Sequence, residues 1–256
     1  MRIDGKLIVV TGASTGIGRA VAIRLAADGA TVVCADIVAN SLEQTVAAIR
    51  AMGAAATAVA CDVSDAGQVE ALFGVAETLG GADGIVCNAA VQYEEPVEST
   101  PPAEWDRVLA VNLKGAYLCA RAAIPQLRAK GGGSIVNMAS VNGFWVEPSL
   151  AAYTSAKAGL IGLTRSIALD YGREGVRCNC ICPGYIDTGM AQRYFDIQPD
   201  PDAARERAGK LHALGRIGQG EEVAAMAAFL ISDDASFCTA QSFIVDGGLS
   251  AGVPAT

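Results

Sequence analysis

Histidine is almost absent from these 256 residues: there is one, His212, in a polar stretch where a surface or pocket-rim place is expected rather than a catalytic one. Charge is sparse, at 18% of the chain, and leans acidic, with 19 Lys and Arg against 27 Asp and Glu and a net charge of −8. That balance opposes binding to nucleic acid or to an anionic membrane surface. No apolar run approaches the roughly 18 residues of a membrane span. The opening Met1-Arg-Ile-Asp-Gly-Lys lacks the apolar core and cleavage site of a signal peptide, so a cytoplasmic protein is expected. What fills the chain instead is apolar, 52% of it, enough for an extensive core in a single domain over residues 1–256.

The eight cysteines are read, in a reducing compartment, as small buried hydrophobes. Cys178, Cys180 and Cys182 resemble a metal cluster only in print. Alternate residues of a strand lie about 6.6 to 7 Å apart on one face. That is too far for three thiolates to share a zinc at about 2.3 Å each, so no metal site is expected.

Short β-branched runs alternate with helical patterns along the whole length. Strands are expected at Lys6–Val10, Thr31–Ala35, Thr57–Cys61, Ile85–Cys87, Ser134–Met138, Val176–Ile181 and Ser242–Val245. Between them the pattern predicts helices at Gly16–Asp28, Ser41–Met52, Asp65–Leu79 with Ser64 as its cap, Pro102–Ala110, Leu113–Lys130, Ala152–Tyr171 and Glu221–Ser232. Near-continuous apolar strands alternating with helices define an α/β fold, a doubly wound parallel sheet covered on both faces. One stretch breaks the rhythm. Thr188–Gly215 is polar, contains Pro199 and Pro201, and lies between a strand and a helix, where an insertion suits a substrate lid.

The first strand ends in Thr11-Gly-Ala-Ser-Thr-Gly-Ile-Gly18. Glycines at 12, 16 and 18 let backbone approach a pyrophosphate, and the helix that follows offers free N–H groups and its positive dipole end. Asp36 closes the second strand, where a carboxylate accepts hydrogen bonds from adenosine ribose hydroxyls. The same carboxylate would repel the 2′-phosphate of NADP, and Ser14, Thr15 and Ile37 supply no cation, so NAD(H) is expected over NADP(H). Asp62 and Asn88 follow the third and fourth strands, pointing to one crevice where the strand order reverses.

Tyr153-Thr-Ser-Ala-Lys157 puts a phenol and an ammonium one helical turn apart. A nearby cation favours the phenolate, which would tune Tyr153 to exchange a proton with a substrate oxygen. Ser140, thirteen residues upstream after an apolar strand, can hold the same oxygen.

Over essentially its whole length the sequence resembles the short-chain dehydrogenase/reductase family. The matches are Thr11-Gly-x-x-x-Gly-Ile-Gly18, Asp62-Val63, Asn88-Ala89, Asn112, Ser140, Tyr153-x-x-x-Lys157, Pro183-Gly184 and Asp246-Gly-Gly. The resemblance implies a Rossmann fold with a seven-stranded parallel sheet and a homotetramer. It makes Tyr153 the acid/base, with Lys157 on the nicotinamide ribose lowering its pKa, Ser140 orienting substrate and Asn112 holding a water in a proton relay. It also places Gly12, Thr15, Gly16, Ile17 and Gly18 at the pyrophosphate, Asp62 and Val63 at adenine, and Asn88 and Ala89 near the ribose. Pro183, Gly184, Ile186 and Thr188 would then flank the nicotinamide. The sequence has Cys87-Asn88-Ala89-Ala90 where the family commonly has Asn-Asn-Ala-Gly.

The expected activity is an NAD(H)-dependent interconversion of a secondary alcohol and a ketone. A 3-oxoacyl-[acyl-carrier-protein] reductase and a non-catalytic dinucleotide sensor are the alternatives. Arg121 and Arg128 could supply part of a carrier-docking patch for the first, while the second has no need of Ser140, Tyr153 and Lys157 together. By position, Asn142, Trp145 and Tyr185, with Val91–Tyr93, would wall the substrate pocket around Ser140 and Tyr153. Apolar residues in excess of one core stripe on two helices (Ala116, Leu118, Ala122, Ala158, Leu160, Leu163, Ile167) point to a subunit interface.

Overall fold

A computed structural model describes residues 3–252; Met1, Arg2 and residues 253–256, and with them the start of the expected N-terminal segment, lie outside the described residues. Seven strands form one all-parallel sheet: β1 (Leu7–Thr11), β2 (Thr31–Asp36), β3 (Ala56–Ala60), β4 (Gly84–Cys87), β5 (Gly133–Met138), β6 (Val176–Pro183) and β7 (Ser242–Val245). Their spatial order is β3-β2-β1-β4-β5-β6-β7. The order reverses between β1 and β4, whose registers pair Ile8 with Gly84 and Val10 with Val86. The crevice above that reversal is where an open α/β sheet binds ligands.

Each face of the sheet has its own core. Leu7 and Val9 point to one side, Ile8 and Val10 to the other, as strand alternation requires. The first core is closed by α3 (Ala66–Thr78), α5 (Gly115–Ala129) and α6 (Ala151–Tyr171), through Leu72, Leu127 and Leu160. The second is closed by α1 (Gly16–Ala27), α2 (Ala39–Ala51) and α9 (Gly220–Ile231), through Leu25, Leu42 and Leu230. Each such side chain contributes about 1.5–3 kcal/mol when fully buried. Cys178, Cys180 and Cys182 all face the first core, among thiols that are free throughout the described residues.

Several local expectations are corrected. The helix from Ala66 is capped by Asp65, whose carboxylate accepts from the amide of Gln68 at 2.9 Å, because Ser64 instead donates its hydroxyl to Asp62 at 2.7 Å. The helix α4 (Pro102–Leu109) runs without a break into α5 through one wide turn, Ala110–Lys114. Residues 188–215 are mostly helical, forming α7 (Gly189–Asp196) and α8 (Pro201–Leu211). Thr188 caps the first, accepting from the amide of Ala191 at 3.3 Å, and Asp200 the second, accepting from Ala203 at 3.0 Å. Pro201 occupies the opening turn of α8, where its missing N–H costs nothing. Of the seven apolar residues taken as interface, Ala116, Leu118, Leu160 and Ile167 are buried inside the chain itself. Among the described residues no helix is long and apolar enough to cross a membrane.

Candidate active site

The loop leaving β1 is held against the loop leaving β4. Thr11 Oγ1 accepts from the amides of Asn88 at 3.0 Å and Ala89 at 3.2 Å. In return Asn88 Nδ2 donates to the carbonyls of Thr11 and Gly12, both at 3.1 Å. Gly12 has a φ of 64° and a Cβ there would stand 2.7 Å from Asn88 Nδ2, so only glycine allows this contact. Gly18 does not line the cavity; a Cβ on it would stand 2.0 Å from the Gly12 carbonyl, so its role is to let α1 sit against the loop. Thr15 precedes α1 without a side-chain cap, which leaves the first amides of the helix open to an anion. These features form a backbone cradle that fits a dinucleotide's pyrophosphate.

Asp36 lines the same cavity. Its Oδ2 accepts from the Ser14 amide and its Oδ1 from the Val38 amide, both at 3.0 Å. Both oxygens retain a further lone pair for ribose hydroxyls. Asp62 and Val63 lie outside the cavity lining: Asp62 Oδ1 binds the amide and hydroxyl of Ser64, and Val63 packs on Gly115.

The cavity encloses about 490 Å³ and reaches from the glycine loop to Ser140, Tyr153 and Lys157. Ser140 opens the turn after β5 and its Oγ accepts from the Asn142 amide at 3.1 Å. Tyr153 and Lys157 project from the first turns of α6, both buried. Burial pushes the phenol up to about 12, with the Ser140 hydroxyl pulling it down and the Glu147 carboxylate adding to the rise. Burial likewise lowers the lysine to about 8. In the protein without ligand the net shift of Tyr153 is upward, because burial outweighs the Ser140 hydroxyl. The Lys157 ammonium sits 5.4 Å from the ring centre and donates to the Met138 carbonyl at 2.6 Å.

Asn112 stands in the wide turn between α4 and α5, buried and outside the cavity lining. Its Oδ1 accepts from the Val91 amide at 2.8 Å and its Nδ2 donates to the Val91 carbonyl at 2.9 Å, fixing the loop after β4. Wide turns of this kind recur at functional sites because they loosen the helical hydrogen-bond ladder. Pro183, Gly184, Ile186 and Thr188 wall the cavity on the β6 side, together with Met190 and Tyr194 of α7. Asn142 and Tyr185 line it as expected, and Trp145 does not.

Sequence reasoning missed two residues here. Glu147 lines the cavity, hydrogen-bonded to the Tyr185 hydroxyl and, at 3.1 Å, to Asn142 Nδ2. His212, expected at the surface or the pocket rim, is buried directly behind the cavity wall. Its Nδ1 contacts the Ala208 carbonyl at 2.8 Å, its ring meets Tyr185 edge-on, and its Nε2 approaches Gly184 closely enough that a Cβ there would be 3.0 Å away. It therefore ties α8 to the cavity wall. The signal was present in Gly184, which a β-carbon would force away from the ring.

Comparison with known proteins gives the arrangement its class. A family model described as enoyl-(acyl carrier protein) reductase matches residues 12–250. The chain is 41% identical over 255 residues to meso-2,3-butanediol dehydrogenase of Serratia marcescens, covering 98% of this chain and 97% of that protein. It is 39% identical over 257 residues to levodione reductase of Leifsonia aquatica, covering 98% and 96%. A crystal structure of levodione reductase superposes with a TM-score of 0.95 at 38% identity, covering 98% of this chain and all of that one. A 3-oxoacyl-[acyl-carrier-protein] reductase of Thermotoga maritima is 35% identical over 97% of this chain and 99% of its own length. The fold and site are those of a nicotinamide-dinucleotide oxidoreductase. The chain belongs to the short-chain dehydrogenase/reductase family.

Proposed function

We propose that the protein interconverts a small secondary alcohol and its ketone with NAD(H), using Tyr153 as acid/base. The observation that carries this reading is one cavity holding Ser140, Tyr153 and Lys157 at one end and the glycine cradle with Asp36 at the other. The dinucleotide, when bound, supplies the hydride acceptor for oxidation and the donor for reduction. Ser140 Oγ holds the substrate oxygen, and Tyr153 gives it a proton in reduction or takes one in oxidation. Lys157, a buried cation beside the phenol, stabilises the phenolate as it forms and holds a ribose hydroxyl. Asn112 positions the Val91 loop and leaves a loosened turn for a proton-relay water. Gly12, Thr15, Gly16 and Ile17 meet the pyrophosphate, Gly18 lets α1 sit close enough to offer its first amides, and Asn88 and Ala89 meet the ribose region. Residues 188–215, of which α7 lines the cavity and α8 packs behind it through Phe195, Ala204 and Ala208, act as the substrate lid.

Cofactor choice follows from Asp36. At about 4 Å and an effective dielectric near 20, a unit-charge pair repels by about 4 kcal/mol. Even a third of that, about 1.4 kcal/mol, gives tenfold preference for NAD over NADP. The test is oxidation of a panel of secondary alcohols, read by reduced-nicotinamide absorbance with each dinucleotide. The wild type should favour NAD+ at least tenfold in kcat/KM, and Asp36→Ala should narrow that gap. A wild type that prefers NADP+, or an Ala variant with undiminished discrimination, contradicts the assignment.

The 3-oxoacyl-carrier reading draws on the Thermotoga maritima relative, but Arg128 is occupied, paired with Glu174 at 2.5 Å and lying over the Tyr171 ring. A non-catalytic sensor would have no use for a buried Lys157, which burial alone disfavours. Assembly as a homotetramer is part of the same proposal, supported by exposed Leu169 and Phe237 and by the family.

A further inference from the structure

Glu147 sits in a turn built to present it. Ser149 adopts a left-handed backbone with a φ of 63°, uncommon for a residue with a side chain. A bridge between Leu150 and Glu95 ties the turn to the loop after β4. The carboxylate is held from two further segments, by Asn142 Nδ2 at 3.1 Å and by the Tyr185 hydroxyl, and the Glu147 amide donates to Asn142 Oδ1 at 3.3 Å. A carboxylate offers about four lone-pair directions. The two side-chain donors leave acceptor capacity in a group that lines the cavity. The polar groups form a row across the cavity: Tyr153, Ser140, Asn142, Glu147, Tyr185. A substrate oxygen held by Tyr153 and Ser140 therefore has Glu147 further along the same wall.

We propose that Glu147 determines substrate specificity, accepting a hydrogen bond from a second hydroxyl of a neutral substrate, a diol or hydroxyketone, and rejecting substrates with a carboxylate there. The inference rests on the oxidoreductase reading above and names its substrate class. A second acid, Glu94, stands near enough for its own carboxyl to be raised by burial and by Glu147. Two cations line the cavity: Lys157 donates to the Met138 carbonyl at 2.6 Å behind Tyr153, and Arg193 is exposed and packs beside Gly189, next to Thr188, whose methyl is 3.2 Å from where a Gly16 Cβ would be. That puts Arg193 at the pyrophosphate end, away from Glu147.

The test uses three compounds that share a reacting carbinol and differ in one substituent: propan-2-ol carries methyl, propane-1,2-diol carries hydroxymethyl, lactate carries carboxylate. The wild type should favour the diol over propan-2-ol about tenfold in kcat/KM, as a hydrogen bond to a charged group warrants. Lactate should be the poorest. Glu147→Gln keeps the shape and removes the charge, and should raise lactate relative to propan-2-ol about tenfold. Glu147→Asp, which keeps the charge, should still reject lactate. A crystal structure of Tyr153→Phe with dinucleotide and the diol should put the second hydroxyl within about 3.2 Å of a Glu147 oxygen. Equal kcat/KM for propan-2-ol and the diol, a lactate ratio unmoved in Glu147→Gln, or the second hydroxyl seated elsewhere would overturn the inference and leave the oxidoreductase reading intact. No turnover of any of the three with either dinucleotide would overturn both.

Discussion

Lys157 states the cost of the site in one side chain. Its pKa falls from an ordinary 10.5 to about 8 because burial disfavours the ammonium. Between those values the unfolded chain holds a proton that the folded chain has released, so stability climbs with pH through that window. Below about pH 8 the full penalty stands, about 3 kcal/mol at 1.36 kcal/mol per unit. Replacing the ammonium by an apolar group of similar length, Lys157→Met, loses the bond to the Met138 carbonyl, worth about 1 kcal/mol. Urea unfolding of the ligand-free protein should thus find the Met variant about 1–2 kcal/mol more stable at pH 7, the gain shrinking by most of its size at pH 10. An equal gain at both pH values contradicts the burial argument. Tyr153, Lys157 and Ser140 were legible because their spacing carries their chemistry. Glu147 was not, since a glutamate before proline reads as a surface turn until folding brings Asn142 and Tyr185 to it. The burial of His212 was hidden for the same reason: its partners, Ala208, Tyr185 and Gly184, come from two separate segments.

At the level of elements, the strands and the glycine loop were readable because each encodes its own geometry: β-branched runs for a two-sided sheet, glycines where backbones meet. The helices α7 and α8 were not, because polar composition and Pro199 with Pro201 resemble a loop, and their apolar contacts, around Phe195 and Ile217, are few and non-local. The meeting of α1 with the loop before it makes a sharp prediction. Gly18→Ala drives a methyl onto the Gly12 carbonyl and Asn88, at 2.0 and 2.4 Å, and should cost about 2–3 kcal/mol and abolish dinucleotide binding. Gly74→Ala lies in α3 with nothing within 4 Å of the added carbon and should stabilise by about 0.5–1 kcal/mol. Urea midpoints of the two variants beside wild type check both, and similar effects of the two would refute the packing role given to Gly18.

The whole molecule joins a sheet, a glycine-loop cradle and the helix bearing Tyr153 in one crevice, and it leaves Leu169 and Phe237 among its exposed apolar side chains, on which the tetramer proposal draws. Light scattering at micromolar concentration should report four chains; a monomer would refute the tetramer. The account stands or falls, however, on Tyr153 as the group that moves the proton. The direct measurement is kcat of Tyr153→Phe with NAD+ and an alcohol the wild type oxidises, alongside NADH affinity by fluorescence titration. The Phe variant keeps the ring and loses only the hydroxyl, so kcat should fall at least about 10²-fold while affinity stays within about twofold. Turnover near the wild-type rate would contradict the mechanism.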